Sequence, residues 1–460
     1  MVGNGTRAIL EDDYVLSRSI PYCIHIQIQR DGFMFERGPR GFRPSGNGLT
    51  TLRLIEDLGL ESEAVGTSSN SKNRFLWIEN KMMQLPSSTS SLLRDPKLSF
   101  MLLSGLLRDI VTSKISSETD ETVYDFACRR FGVDVASLLV DSMISGIYAG
   151  NSKELSIRSC FPLLHKLENE HGSVLKGMVR RSSETSIMTC RSLVLQNFEK
   201  QSEVTKKLGK SMQVSFQYGM ETLAQGLESV LRKDEEHVTM RLNSRVSKLQ
   251  PQGNGVVVVT LDDDSTILAD HVVSTLSADV MANITSSWSS LVRDSFEDLA
   301  LKTKSVDVGV VNMAWRDNIS LPYDGFGFLV PSREWTELLG VTWDSLVFPS
   351  QQDSGACVVT AMLGGAHHPH IGNMNDLELR ALAERLVLPK LNIQVKPSTV
   401  YSDVAKSCIP QYRTGHHKHV LRVENALCDT HVSAIGTSLY GVGVADLIHR
   451  ALLTADSLTP

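Results

Sequence analysis

The stretch FERGPRGFRPSG, from Phe35 to Gly46, sets three arginines among three glycines and two prolines. Proline and glycine at that density exclude a helix. What remains is a stiff, basic turn suited to an anion or a flat ligand. Near the other end, GTSLYGVGVADLIHRALLTA (436–455) places Gly436, Gly441 and Gly443 just before a helical pattern. A helix N-terminus with small residues suits a phosphate or a polarised ring edge; taken alone, an ordinary strand-to-helix turn is the stronger reading. Arg74 in NRFLWIEN has the fork geometry for a carboxylate, although on sequence alone a surface arginine is the stronger reading. GGAHHPHIG (364–372) and GHHKH (415–419) crowd His367, His368, His370, His416, His417 and His419 into glycine-flanked segments. Neither shows a ligand pair on a helix face, so solvated loop histidines and no metal are expected. GNGTRA (Gly3–Ala8) matches a dinucleotide glycine pattern. Only Met1 and Val2 precede it where a strand is needed, so it reads as a chance match.

These groups must be positioned by a large scaffold. The chain has 460 residues, 42% hydrophobic, enough for one large or two interleaved domains. A net charge of −6, from 46 basic and 52 acidic residues, gives no electrostatic case for nucleic acid. Seven widely spaced cysteines argue against a disulfide framework or zinc module. No run of about 18 apolar residues is present to span a membrane. The opening MVGNGTRAILEDDY, with Glu11, Asp12 and Asp13, resembles neither a signal nor a transit peptide. The glycosylation triplets at Asn4, Asn283 and Asn318 read as chance.

Alternation around Ile24, Ile26 and Ile28, then Arg30-Asp31-Gly32, predicts a hairpin over 20–36. A helix is expected over 48–60, stopping at Gly59, and a second hairpin over 75–86 with an Asn at its tip. From about 87 to 235 the pattern is helical. In 97–115, Phe100, Leu103, Leu107, Ile110 and Val111 form one stripe, with Arg94, Lys97, Arg108 and Lys114 around it. That stripe suits an interfacial helix or a core helix, and both readings stand. Beyond 235 strands dominate, with Asp262-Asp263-Asp264 at a hairpin tip, and the tail reads strand, glycine turn, helix. An α/β ligand-binding domain interrupted by a helical one follows.

The strings FERGPRGFRP, NRFLWIEN, GIYAGNSKELSIRSCFP, GFGFLVPS, GVTWDSLVFP, VVTAMLGG, CIPQYRTGH and GTSLYGVGVADLI together resemble the protoporphyrinogen oxidase family of the flavin amine-oxidase superfamily. They run in family order from about Phe33 to the C-terminus. The resemblance implies an α/β (α+β) fold: an FAD-binding domain incomplete at its N-terminus (1–75, 236–300 and 425–460), a substrate domain (76–90 and 301–424) and an inserted helical membrane-associating domain (91–235). It implies oxidation of protoporphyrinogen IX to protoporphyrin IX in three two-electron steps, with dioxygen as final acceptor. Gly38, Pro39, Arg40 and Gly41, with Thr437, Val442, Gly443 and Val444, would line the flavin, and Val246 would lie by its adenine. Arg74 would pair with a propionate, the Gly146 carbonyl would accept pyrrole N–H bonds, and Phe326, Leu329 and Met362 would clamp the macrocycle. No catalytic acid or base beyond the flavin is implied. A homodimer held monotopically on the intermembrane-space side of the mitochondrial inner membrane is.

Several positions depart from the family pattern. The first 30 residues do not resemble its opening strand, glycine turn, helix and acidic-ended strand, and RSIPYC (18–23) stands where a glycine-rich step is usual. Ser145 replaces a basic residue, and Tyr218 in SFQYGM replaces a glycine. The alternative these departures raise is a flavin-deficient, inactive isoform or relic that at most binds porphyrinogen or another protein.

Overall fold

Strand-forming residues supply the largest layer, a seven-stranded sheet in the order β17 (Thr399–Pro410), β13 (Ser305–Trp315), β16 (Cys357–Gly364), β15 (Leu338–Thr342), β14 (Gly327–Leu329), β5 (Arg74–Ile78), β6 (Lys81–Gln84). All neighbours are antiparallel except β14 and β5, which run parallel with Gly327 opposite Arg74. The computed structural model describes residues 8–12, 27–87, 95–116, 118–183, 202–253, 255–316 and 319–458. The glycines of GNGTRA, the RSIPYC step, Arg94, and the triplet asparagines Asn4 and Asn318 lie outside these.

Val311, Met313, Trp315, Phe328, Val341, Trp343 and Leu363 form the sheet's core with Leu379, Leu382 and Val387 of the helix Asp376–Val387. Each large apolar side chain so buried contributes about 1.5–3 kcal/mol. That helix is started by a capping box between Asn375 and Glu378.

Both expected hairpins form among the described residues, with 20–26 of the first lying outside them. Between β2 (Gln27–Arg30) and β3 (Phe33–Glu36), Asp31 and Gly32 take φ of 52° and 77°, the left-handed pair a two-residue turn requires. Between β5 and β6, Glu79 and Asn80 do the same at 51° and 58°. Asp262 to Asp264 cap the hairpin of β10 (Val257–Leu261) and β11 (Thr266–Ala269), which extends to β9 (Val246–Pro251). Separate two-stranded pairs are β12 (Val272–Ser274) with β18 (Val432–Ala434) and β1 (Ala8–Asp12) with β8 (Val238–Leu242), both parallel, and β4 (Ala64–Gly66) with β7 (Val214–Phe216), antiparallel.

The helical segment is tied by buried charge. Arg130 is fully buried and pairs with Asp109 at 3.3 Å and with Glu168. Asp109, in the helix Pro96–Val111, also accepts from Ser173 Oγ (2.6 Å) and the Leu175 N–H (2.8 Å), capping the helix Val174–Ser183. Leu98, Gly105 and Asp109 are the buried face of that first helix. The apolar stripe points outward, with Phe100 75% and Val111 80% exposed. Among the described residues, the stripe is not part of a buried core.

Candidate active site

The two glycine turns, some 400 residues apart, meet. Phe42 and Val214 exchange backbone hydrogen bonds, both at 2.9 Å. A Cβ at Gly41 would lie 2.6 Å from the Val214 carbonyl, so only glycine fits. The helix Gly48–Asp57 follows and buries Leu52 and Ile55 among Phe42, Val214, Phe216 and Met220. Val444, Ala445 and Ile448 of the helix Val444–Leu458 pack on the same cluster. Asn47 Nδ2 donates to Asp446 Oδ1 at 2.8 Å, and Thr50 Oγ1 hydrogen-bonds His449 Nδ1 at 3.0 Å. Gly436 and Gly441 take φ of 122° and 90° in the turn before this helix. Val246 joins Leu439 and Tyr440 in a neighbouring core, Val442 packs against the cluster of Tyr148 and Tyr412, and the Thr437 carbonyl accepts from the Tyr412 hydroxyl.

A polar chain backs the first turn. Arg40 Nε donates to Asp344 at 2.7 Å. Asp344 also accepts from Thr342 Oγ1 (3.0 Å) and Thr360 Oγ1. Asn312 Nδ2 donates to Thr360 Oγ1 at 2.7 Å and lies 3.4 Å from the Glu36 carbonyl. Glu36 Oε1 accepts the Met220 N–H at 2.7 Å. Burial pushes the Glu36 carboxyl up to about 7, against the pull of that N–H and of Arg40.

Nine buried side-chain atoms find no partner among the described residues, among them Arg40 Nη2, a donor, and Glu36 Oε2 and Gln27 Oε1, two acceptors, about the first turn. Donors and acceptors left open about the first turn suit a group such as a flavin, whose pyrimidine edge alternates carbonyl acceptors with an N–H donor. β1 adds an element that sequence reasoning missed, because its signal is only five residues long. It ends in Glu11 and Asp12, opposite Arg241 and Leu242 of β8. An acidic strand end is where doubly wound nucleotide folds keep the ribose ligand.

Of the residues expected to meet substrate, Arg74 opens β5 and its guanidinium sits 5.8 Å from the Phe326 ring centroid. Local desolvation, with the nearby charge of Arg43, lowers the Arg74 pKa from the ordinary arginine value. A Cβ at Gly146 would meet Leu329 at 2.8 Å, and Gly340, also against Leu329, pairs with Met362. Gly146, Leu329 and Met362 thus converge at one end of β14, with Arg74 and Phe326 at the other.

The histidine reading needs correction. His416 is not a solvated loop residue. Gly415, at φ 86°, launches the helix His416–Leu427, and helical spacing puts His416 on the inner face with Val420, Val423 and Leu427. Its ring is 4% exposed and stacks on Tyr412 at 4.2 Å. Burial pushes its pKa down to about 4. His367 and His370 are exposed. No group of three His, Cys, Asp or Glu among the described residues could hold a metal.

The model of the flavin containing amine oxidoreductase family matches residues 26–437. Protoporphyrinogen oxidase from Bos taurus is 35% identical, covering 91% of this chain and 86% of its own. The Homo sapiens enzyme is also 35% identical, covering 93% and 88%. A crystal structure from Exiguobacterium sp. 255-15 superposes with a TM-score of 0.73 at 20% identity, covering 95% of this chain and 90% of its own.

Proposed function

This chain belongs to the protoporphyrinogen oxidase family of FAD-dependent, flavin-containing amine oxidoreductases, and we propose that it oxidises protoporphyrinogen IX to protoporphyrin IX with dioxygen as the final acceptor. When bound, FAD supplies the two-electron acceptor. Gly38, Pro39, Arg40 and Gly41 would form one wall of its site, and Thr437, Val442, Gly443 and Val444 the other. Val246 would lie beside the adenine. Arg74 would bind a propionate bidentately, the Gly146 carbonyl would orient the pyrrole N–H groups, and Phe326, Leu329 and Met362 would press the macrocycle flat. An apolar slot with few charges is the shape a flat dianion calls for.

The observation that carries this reading is the meeting of the two turns, fastened by Asn47 and Asp446, beside the Arg74–Phe326 pair. The test is direct. Purified protein supplied with FAD should show the flavin visible band and turn protoporphyrinogen IX into fluorescent porphyrin in air. Folded protein that takes up no flavin would overturn it and favour a porphyrinogen-binding isoform without catalysis.

The same reading places the protein as a homodimer on the mitochondrial inner membrane, attached at one face. No helix among the described residues is long and apolar enough to cross a membrane. The exposed Phe100, Leu103, Leu107 and Val111, beside Arg108 and Lys176, suit shallow insertion instead.

A further inference from the structure

Tyr412 and His416 lie outside the residues assigned above, yet both reach the second glycine turn. Tyr412 is 1% exposed, and its hydroxyl donates to the Thr437 carbonyl. His416 stands with Nδ1 3.1 Å from Thr303 Oγ1 and Nε2 3.4 Å from the Leu439 carbonyl. A carbonyl only accepts, so the ring proton sits on Nε2 and the Thr303 hydroxyl donates to Nδ1. The two rings stack at 4.2 Å with an interplanar angle of 17°.

Tyr412 also contacts the helix that carries Gly146. The Tyr148 ring meets it edge-on at 6.1 Å, and Gln411 Nε2 donates to the Tyr148 carbonyl at 2.9 Å. Tyr148 closes the helix Asp141–Tyr148, which carries Gly146. The Ser156 N–H donates to the Tyr412 carbonyl at 2.8 Å, fixing the backbone between.

We propose that Tyr412 and His416 are positioning residues that grip the carbonyls of the flavin-facing turn and couple it to the helix bearing Gly146. The inference rests on the flavin site proposed above. Its physical basis is the planar peptide. Holding the Thr437 carbonyl fixes the direction of the Ser438 N–H on the other edge of the same plane. A donor on that carbonyl also polarises the peptide and strengthens the N–H.

The test is the flavin itself. In holoprotein, Tyr412→Phe keeps the ring stack and loses only the hydroxyl. It should weaken FAD retention about tenfold and shift the flavin circular dichroism and reduction potential. His416→Phe should act likewise, and His416→Gln, whose amide can still donate, should restore much of the loss. A purely structural tyrosine would change melting temperature and leave the potential unmoved. Gly443→Val, which crowds the turn itself, separates the two claims. If it expels flavin while Tyr412→Phe retains wild-type affinity, spectrum and potential, the positioning role is overturned. If folded Gly443→Val keeps its flavin, the turn does not face the cofactor and both claims fall.

Discussion

The Asn47 amide lies 2.8 Å from the Asp446 carboxylate, joining the helix that follows the first glycine turn to the one that follows the second. Asp446 stands in the first turn of its helix, where a carboxylate is already favoured. Removing the donor therefore costs a charge-assisted hydrogen bond without leaving the acid stranded. Asn47→Ala should lower unfolding free energy by about 2 kcal/mol in urea melts. Loss below about 0.5 kcal/mol would mean that packing of Ile448 and Leu52 alone holds the two helices.

Arg40 and Asp344 form an ion pair with both side chains largely covered. A pair of this kind is costly to break from one side, because the survivor stays buried and charged. Asp344→Ala should cost about 3–5 kcal/mol. The double variant Arg40→Met with Asp344→Leu should recover most of that loss, as chemical denaturation would show.

Local signals were readable wherever backbone chemistry dictates conformation. Asp31-Gly32 adopts the left-handed pair that its types favour, Asn80 does so beside a Glu79 whose type does not, and the hairpins follow. The apolar stripe of residues 97–115 was equally visible, but its direction was not. That depends on Arg130 drawing the opposite face inward through Asp109, a contact between helices. The strings that carry the expected lining are likewise local, whereas the support behind them was hidden. Glu36 meets Met220 across 184 positions, and β1 meets β8 across 230. His416 sits in a run of histidines whose composition suggests solvent; only its register with Val420 and Val423 puts it inside.

If Arg74 binds a propionate, its loss should fall on substrate affinity. Arg74→Ala should raise KM for protoporphyrinogen IX by about 30-fold, the worth of a charge-assisted contact of ~2 kcal/mol. kcat should change much less. Arg74→Lys keeps a point charge without the fork and should recover only part of the affinity. An unchanged KM in both variants would remove Arg74 from the substrate site.

The outward stripe predicts a change in membrane binding without a change in fold. Phe100, Leu107 and Val111 are 75%, 67% and 80% exposed. Changing all three to serine should sharply reduce sedimentation with anionic vesicles. Stability should stay within about 0.5 kcal/mol per site, since little packing is lost. Equal vesicle binding by the triple variant would place the membrane contact elsewhere.

Two buried groups should tilt stability against pH in opposite directions. The Glu36 pKa is raised from 4.5 to about 7, chiefly by burial. Folded protein therefore keeps a proton that the unfolded chain releases between those values, and this contribution is lost as pH rises from 4.5 to 7. The His416 pKa is depressed from 6.5 to about 4, again chiefly by burial. Here the unfolded chain binds the extra proton, so the contribution is present above 6.5 and lost as pH falls through that window. Each is worth on the order of 3 kcal/mol across its range, and between 4.5 and 6.5 the two largely cancel. Glu36→Gln keeps the acceptor for the Met220 N–H and removes only the titration. Relative to wild type it should gain stability steadily from pH 4.5 to 7. His416→Gln should show the reverse difference, gaining relative to wild type as pH falls below 6.5. Urea melts at half-unit steps would read both slopes. A flat difference for either variant would mean that its carboxyl or imidazole titrates alike in the folded and unfolded chain.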